Sequence, residues 1–280
     1  MLKFLKYFFA ILFIWIFLAQ FVILKFRFSN TKAYSIFKAK NLDLIIKDTL
    51  INNCPINYAI TGNSNLPTLI FIHGSPGSWN SFYDYMIDTT LRKKFRIVSI
   101  DRPGFGYSNF GKAMHLQDQC NVILPLLQQF KSNKPLYVCG HSMGGPVAIQ
   151  LAAMDTGLFN TIVIAAGSIS MAYEPKETWR KIVQYPPFKY CVPGAFLPSN
   201  TEINYLKKDL IPLQNAFEKV TCKVNFIHGD IDTWVPIGNV GYGISMLKNA
   251  AAIKTDTIKN ADHLFPWKQK KAFLNLLLAL

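Results

Sequence analysis

The stretch Val138-Cys139-Gly140-His141-Ser142-Met143-Gly144-Gly145 joins a short apolar run to a glycine-flanked serine. The run Leu136 to Cys139 is typical of a buried strand, and Pro146 to Met154 is typical of a helix. Glycines two positions before and after the serine allow a strand and a helix to approach closely. The pattern predicts a sharp strand-to-helix turn, called a nucleophile elbow, with the Ser142 hydroxyl held clear of the backbone.

The first 32 residues differ in composition from the rest of the chain. They carry five basic residues and no acidic one, and Tyr7 to Leu24 is an uncharged stretch rich in Phe, Ile and Leu. A helix of 18 such residues spans about 27 Å, close to the thickness of a bilayer core. The sequence therefore predicts a membrane anchor within residues 1–32, with a cleaved signal peptide as the alternative. Cations lie on both sides of the apolar stretch, so the side of the membrane stays open.

The remaining composition narrows the class of protein. The net charge is +14, but no basic cluster interleaved with aromatic residues points to nucleic acid. Attraction to an anionic membrane surface is the simpler explanation of the charge. The five cysteines are scattered and lack metal-site spacing, which predicts neither a disulfide framework nor a zinc site. We expect no metal or organic cofactor.

Strand-like and helix-like segments alternate through residues 33–280. The strand candidates are Asp43 to Ile51, Ile56 to Thr61, Thr68 to Ile72, Arg96 to Ile100, Leu136 to Cys139, Thr161 to Ala165, Lys223 to Ile227 and Ala252 to Ile258. This alternation predicts an α/β domain with a mostly parallel sheet flanked by helices. The Asn52-Asn53 turn predicts an antiparallel hairpin at one edge.

The alternation stops between Gly167 and about Thr221. This segment is rich in aromatic residues, and fifty structureless residues are rare in a compact domain. We therefore predict an inserted, partly helical cap at about residues 168–220. Trp79, Trp179 and Trp234 are candidates either for core packing or for pocket walls.

Polar and glycine-rich clusters follow five of the predicted strands. They are His73–Gly77, Asp101–Ser108, the turn at Ser142, His228–Asp232 and Asn260–His263. Because ligands bind at the carboxyl ends of the strands in a parallel sheet, these clusters are expected to meet at one site.

These clusters, H-G-S-P-G, D-R-P-G-F-G-Y-S, G-H-S-M-G-G, H-G-D-I-D-T-W-V-P and A-D-H in that order, resemble those of α/β-hydrolase-fold serine hydrolases over residues 40 to 280. In that fold the catalytic serine, acid and histidine follow in this chain order. The resemblance implies Ser142 as nucleophile and, among five histidines, His263 as general base. A serine at the elbow, where relatives that open epoxides or displace halides have a carboxylate, implies acyl transfer.

The resemblance also suggests the remaining site residues. Asp230 and Asp232 compete for the acid, and the family pattern G-x-x-D-x-x-V-P selects Asp232. The backbone N–H groups of Ser75 and Met143 would form the oxyanion hole. Residues expected to brace loops or cap turns are His73, Asp101, Arg102 and Asp262.

The sequence thus predicts a membrane-anchored hydrolase of carboxylic esters, with lipid-like or aromatic acyl groups as substrates. An amide, a thioester or a carbon–carbon bond remains an alternative target for the same three residues. A non-catalytic binding protein on this fold is the alternative from another class. The expected partners are a small-molecule ester and, through the N-terminal helix, a membrane, but no nucleic acid.

Overall fold

A single eight-stranded sheet forms the centre of the computed structural model, which describes residues 2–175 and 177–280. Its strands are β1 (Ile45–Ile51), β2 (Cys54–Thr61), β3 (Thr68–Ile72), β4 (Arg96–Ile100), β5 (Leu136–His141), β6 (Thr161–Ala165), β7 (Lys223–Gly229) and β8 (Ala252–Ile258). Their order across the sheet is β1-β2-β4-β3-β5-β6-β7-β8.

The sheet is mostly parallel, as predicted. The six strands β3 to β8 pair in parallel, whereas β2 pairs antiparallel with both β1 and β4. Asn52 and Asn53 turn the β1–β2 hairpin with φ values of +50° and +60°. Two consecutive positive φ angles suit asparagine and match the twist of the flanking strands, so the hairpin is confirmed.

Eleven α-helices lie in the described residues. They are α1 (Leu2–Phe17), α2 (Asn30–Ala39), α3 (Tyr83–Met86), α4 (Thr89–Lys94), α5 (Leu116–Gln128), α6 (Gly144–Met154), α7 (Trp179–Ile182), α8 (Phe196–Phe217), α9 (Gly238–Met246), α10 (Phe265–Lys268) and α11 (Lys270–Leu278). A π-helical turn, Leu18–Val22, continues α1, and 3₁₀ turns occur at Trp79–Phe82, Met171–Tyr173 and Phe188–Cys191.

The apolar residues form one core layer on each face of the sheet. Along β3, Ile70 and Ile72 pack with α5, α6 and α8, while Leu69 and Phe71 pack with the layer that contains α2 and α11. Successive strand residues point to opposite faces, so a strand buried on both faces must be apolar throughout. The unbroken apolar run Leu69–Ile72 meets this requirement.

The segment between β6 and β7, which we call the cap, leaves the sheet at Gly167 and returns at Lys223. In its first part, the described residues form short helical turns and α7. Its last part is the long helix α8, whose Leu206, Leu210 and Leu213 are buried in the core layer beside α5 and α6. The range predicted for the cap therefore includes residues that belong to the main core.

The N-terminal helix is apolar and lies largely outside the core. The stretch Lys3–Val22 has a mean hydropathy of 2.1 and is long enough to cross a membrane. Only 6% of its most apolar window is buried, unlike the core helix of a globular domain. By length and composition it is one candidate membrane span, and a signal sequence would have the same features.

Candidate active site

Ser142 lies at the tip of the turn between β5 and α6. Its φ is +54°, a left-handed conformation that is uncommon for residues other than glycine. The turn is held from both sides: the Ser142 N–H donates to the Ala165 carbonyl at 2.9 Å, and the Gly145 N–H donates to the Ser142 carbonyl at 2.9 Å. Ser142 thus keeps a strained backbone at the carboxyl edge of the sheet, where such strain is typical of functional sites.

Glycine is required on both sides of this turn. A Cβ at Gly140 would lie 2.0 Å from the Gly144 carbonyl oxygen, and one at Gly144 would lie 2.3 Å from the Ile72 carbonyl oxygen. Both contacts are with backbone, which cannot move aside as a flexible side chain does. The close approach of strand and helix therefore explains both glycines.

His263 contacts the serine from the loop between β8 and α10. Its Nε2 lies 2.9 Å from Ser142 Oγ, and its Nδ1 lies 2.7 Å from Asp232 Oδ2. Since a carboxylate only accepts, Nδ1 carries the proton and the Nε2 lone pair faces the serine hydroxyl. This tautomer is the one that is able to accept a proton from a serine hydroxyl.

Asp232 is held as an anion beside this histidine. Its Oδ1 accepts the N–H groups of Trp234 and Val235, both at 2.9 Å. Burial opposes ionisation, but the hydrogen bonds from His228 and His263 outweigh it and hold the pKa of Asp232 well below its ordinary value. The charge needed to orient and stabilise a protonated His263 is therefore present.

The neighbouring acidic residues do not contact the histidine ring. Asp230 is exposed, and its Oδ1 accepts the Ala261 N–H at 3.2 Å. Asp262 Oδ1 accepts the Leu264 N–H at 2.9 Å, and its other oxygen pairs with Lys268. Both carboxylates bind their own turns, as Asp side chains commonly do.

Two histidines that sequence reasoning left without a role support the site. His228 Nε2 lies 2.8 Å from the Val235 carbonyl oxygen and 3.4 Å from Asp232 Oδ2. His141 Nε2 lies 3.1 Å from the His263 carbonyl oxygen, which is within hydrogen-bonding distance. Burial, and then the proximity of His263, lower the pKa of His141 to about 3, so it is neutral and donates to that carbonyl. The sequence signals that could have identified them are the position of His141 directly before Ser142 and that of His228 at the end of β7.

The two predicted oxyanion donors lie on loops that meet at Ser142. Met143 precedes the first residue of α6, where backbone N–H groups have no partner within the helix. The loop His73–Gly77 passes so close that a Cβ at Gly74 would lie 2.9 Å from Ser142 Cβ. Ser75 is half-buried on this loop, and its buried hydroxyl oxygen has no hydrogen-bond partner among the described residues. The two loops therefore bring both residues predicted as oxyanion donors beside Ser142.

Arg102 fixes the loop that carries Ser75. Its Nε donates to the His73 carbonyl at 2.8 Å and its Nη2 to the Gly74 carbonyl at 2.9 Å. The Arg102 backbone N–H donates to His73 Nε2 at 3.0 Å, which leaves the His73 Nδ1 proton for the Gly74 carbonyl. Arg102 thereby holds the carbonyls of His73 and Gly74, directly before Ser75, in fixed positions.

Asp101 joins two further loops below the site. Its fully buried carboxyl group accepts the Trp79 N–H at 2.6 Å and the Tyr107 N–H at 2.7 Å. Burial raises the pKa of Asp101 to about 7, against these two hydrogen bonds. Asp101 therefore has a structural contact on each oxygen and none with Ser142 or His263 in this arrangement.

The three tryptophans named above as candidates for packing or pocket walls lie in different environments. Trp79 is fully buried in the core, so it is a packing residue. The Trp234 ring lies 5.4 Å from the His263 ring and is largely exposed, which places it at the edge of the site. Trp179 is exposed on α7 of the cap.

The side chains at the centre of the site are themselves mostly buried. Ser142 is only 9% exposed and His263 only 6%, so a ligand reaches them by passing between the neighbouring groups.

Residues 67–190 match the family model for the alpha/beta hydrolase fold. A probable aminopeptidase of Bacillus subtilis is 30% identical over 142 residues, which cover 48% of this chain and 43% of that protein. An sn-1-specific diacylglycerol lipase of Danio rerio is 26% identical over 133 residues, which cover 46% of this chain and 42% of the lipase. The chain spans less than half the length of these curated relatives.

Solved structures cover more of the chain. The crystal structure of a bacterial membrane phospholipase A superposes with a TM-score of 0.62 and 18% identity, covering 99% of both chains. A 2-hydroxy-6-oxo-6-phenylhexa-2,4-dienoate hydrolase from Rhodococcus superposes with a TM-score of 0.67 and 18% identity, over 85% of this chain and 98% of that one. At this identity the likeness establishes the fold.

Proposed function

Because the chain belongs to the α/β-hydrolase superfamily, we propose that it is a serine hydrolase that cleaves carboxylic esters. The observation that carries this proposal is the 2.9 Å separation between Ser142 Oγ and His263 Nε2, with Asp232 on the far side of the ring. A serine with a base and an orienting acid in line is the arrangement that activates a hydroxyl as a nucleophile.

In the first half of the reaction, Ser142 Oγ attacks the ester carbonyl carbon and His263 Nε2 accepts the hydroxyl proton. Asp232 stabilises the resulting imidazolium. The negative charge on the former carbonyl oxygen is taken up by the backbone N–H groups of Ser75 and Met143, and one such donor is worth about 3 kcal/mol of barrier. The tetrahedral intermediate collapses when His263 returns the proton to the leaving alcohol, which gives an acyl-serine.

In the second half, water takes the place of the alcohol. His263 removes a proton from the water as it attacks the acyl carbon, and the same N–H groups bind the new oxyanion. Collapse breaks the bond to Ser142 Oγ, which recovers its proton from His263, and the carboxylic acid leaves. Each step uses the same three side chains, so the enzyme returns to its starting state.

Amide hydrolysis is a second candidate, favoured by the relative that is a probable aminopeptidase. An amide demands protonation of a poorer leaving group but uses the same residues. Esters are preferred because relatives include a diacylglycerol lipase and a pimeloyl-[acyl-carrier protein] methyl ester esterase from Methylococcus capsulatus. A matched p-nitrophenyl ester and p-nitroanilide pair distinguishes the two activities.

We also propose that the N-terminal helix stays on the mature protein as a membrane anchor. Its support is the length and apolar composition of Lys3–Val22 together with direct contacts to the cap, described below. The intact mass of protein extracted from membranes tests this: a full-length mass supports an anchor, and loss of the first twenty or so residues contradicts it.

A fluorophosphonate probe tests the catalytic proposal. We expect the wild-type protein to gain the mass of one probe, and Ser142→Ala to gain none. Ser245→Ala is the matched control because Ser245 is exposed on α9, where its hydroxyl bonds only the Tyr242 carbonyl. If Ser142→Ala labels as fast as the wild type, the serine hydrolase proposal is wrong.

A further inference from the structure

The N-terminal helix does not stand apart from the catalytic domain but is hydrogen-bonded to the cap. The Trp15 Nε1–H donates to the Cys191 carbonyl at 3.1 Å. The Gln20 side-chain amide donates to the carbonyls of Tyr190 at 2.9 Å and Val192 at 3.2 Å. Three successive cap carbonyls thus receive their hydrogen bonds from side chains of the candidate membrane span.

The backbone continues this contact. The Gly194 N–H donates to the Ala19 carbonyl and the Ala195 N–H to the Leu24 carbonyl, both at 2.8 Å. A Cβ at Gly194 would lie 2.3 Å from the Ile23 carbonyl oxygen, so the two segments are in direct backbone contact. The cap and the span are therefore fixed relative to one another.

These contacts set a depth for the cap. Trp15 precedes Val22, the last residue of the span, by seven positions, which is about 10 Å along a helix. If the span crosses a hydrocarbon core of about 30 Å, the Cys191 carbonyl lies inside the boundary of that core rather than above it. Backbone carbonyls at such a depth need internal donors, and Trp15 and Gln20 provide them.

The side chains of this part of the cap suit the same environment. Between residues 179 and 196 the exposed large apolar side chains, which we call the cap apolar surface, are Trp179, Ile182, Tyr185, Phe188, Tyr190 and Phe196. The surfaces of soluble proteins rarely carry so dense a set of exposed apolar side chains. Aromatic residues are the ones enriched at membrane–water interfaces.

Basic residues flank these aromatic groups. The Arg180 guanidinium lies 4.6 Å from the Trp179 ring, and Lys189 Nζ lies 5.0 Å from the Tyr190 ring. Long cationic side chains of this kind keep an apolar stem in the interface while the charge reaches phosphate groups. Arg180 is also paired with Glu177, so the attraction of about 1 kcal/mol that an unpaired cation adds to an anionic leaflet is expected from Lys189.

We propose that the cap apolar surface is embedded in the same leaflet as the C-terminal end of the N-terminal helix, and that the enzyme takes bilayer-resident acyl esters from that leaflet. The first part rests on retention of the helix, and the second rests on the proposed ester hydrolysis. The occupant of the surface is therefore lipid, not a protein partner.

Fluorescence quenching tests the first part on the full-length protein. A Cys191→Ser, Cys222→Ser background removes the two half-buried cysteines, and the three others are buried. A polarity-sensitive label is placed on Tyr185→Cys or Phe188→Cys, with Leu50→Cys as the control, since Leu50 is 68% exposed on β1. The protein is reconstituted in vesicles of phosphatidylcholine and phosphatidylglycerol that contain spin-labelled lipid.

We expect the emission maximum of the cap labels to shift to the blue on reconstitution, and their fluorescence to be quenched several-fold more strongly than that of the control. Equal, weak quenching at all three positions would overturn the proposal. So would a cap label that is shielded from spin-labelled lipid only at high protein density, because a second copy of the chain would then cover the surface.

Activity tests the second part. Phe188→Asp places a charge where we expect lipid, so hydrolysis of a vesicle-borne ester should fall about tenfold or more. Hydrolysis of a short, water-soluble ester should stay unchanged, and Leu50→Asp should affect neither substrate. Equal loss on both substrates would contradict lipid uptake through this surface. A wild type that hydrolyses neither ester would instead overturn the proposed function, while the quenching result would stand on its own.

Discussion

The Arg102 guanidinium forms an ion pair with the Glu202 carboxylate beneath the loop that carries Ser75. Glu202 is on α8 of the cap, one hundred residues away, and both side chains are almost fully buried. Gln119 completes the cluster, with its amide oxygen on Arg102 at 2.9 Å and its NH₂ on Glu202 at 2.7 Å. Because Arg102 also binds the loop carbonyls, this ion pair links the cap to the proposed oxyanion loop.

Removing one partner of this pair should be strongly destabilising. Glu202→Ala leaves a buried guanidinium without its counter-charge, which typically costs about 3–5 kcal/mol of unfolding free energy. The double variant Arg102→Met, Glu202→Met leaves no unpaired charge and should be less destabilised than Glu202→Ala. Thermal unfolding in detergent measures both.

The exposed pair between Lys248 and Glu218, 3.4 Å apart, is the control. Glu218→Ala should change stability by less than about 1 kcal/mol. If Glu202→Ala is as mild as this control, the buried pair does not have the importance that its geometry indicates.

Substitution of the two aspartates after β7 should separate their roles. Asp232→Asn loses the acceptor that orients His263, and kcat should fall by about 10³–10⁴. Asp230→Asn affects only the turn at Ala261 and should change kcat by a small factor. Steady-state hydrolysis of a p-nitrophenyl ester measures both, and equal losses would contradict the assignment of the acid to Asp232.

The same glycine substitution should have opposite effects at two sites. Gly140→Ala forces a Cβ against the Gly144 carbonyl, so we expect a loss of about 3 kcal/mol or more, together with loss of probe labelling. Gly241 is exposed on α9, and a Cβ added by Gly241→Ala would have nothing within 4 Å outside its own helix turn. This variant should gain about 0.5–1 kcal/mol, because alanine is the better helix former. A soluble, fully active Gly140→Ala protein would show that the elbow is looser than described.

Buried neutral histidines should make the fold sensitive to acid. Burial lowers the pKa of His141 to about 3 and also holds that of His73 well below 6.5. The unfolded chain then binds more protons, so the stability from each group is complete above about pH 6.5 and is lost as the pH falls toward the folded pKa.

For one such histidine the loss is about 1.4 kcal/mol for each pH unit. Asp101, whose pKa burial raises to about 7, acts in the opposite direction, so the comparison must be between variants. His141→Gln keeps a donor for the His263 carbonyl but has no proton to gain. Between pH 6.5 and 5 its melting temperature should fall less than that of the wild type, and parallel curves would contradict this.

The strands could be predicted because a parallel strand under two layers of helices is a nearly continuous run of apolar residues. The prediction over Thr68–Ile72, Arg96–Ile100 and Thr161–Ala165 matches β3, β4 and β6 residue for residue. The same pattern gave no warning of α2, where only Ala33 and Phe37 are buried and the apolar stripe is too narrow to recognise.

Contacts that join distant parts of the chain were beyond reach. Nothing in the local sequence links Glu202 to Arg102, or Trp15 to the carbonyl of Cys191, since each pair exists only after the sheet and cap are assembled. The long helix α8 could not be predicted for a similar reason. It contains Pro212, which locally disfavours a helix, and its stability comes from Leu206, Leu210 and Leu213 packing on the core.

The six residues that follow the N-terminal helix, 23–28, determine how freely the catalytic domain can move. The Phe26 carbonyl accepts the Ser78 hydroxyl at 2.7 Å, the Phe28 N–H donates to Asn80 Oδ1 at 2.7 Å, and the Arg27 side chain bonds the Gly106 carbonyl. A flexible tether would let a domain sample a hemisphere above its attachment point. This rigid joint instead fixes one orientation, so with the helix retained in a membrane, as proposed, the domain would present the same face to the bilayer at all times.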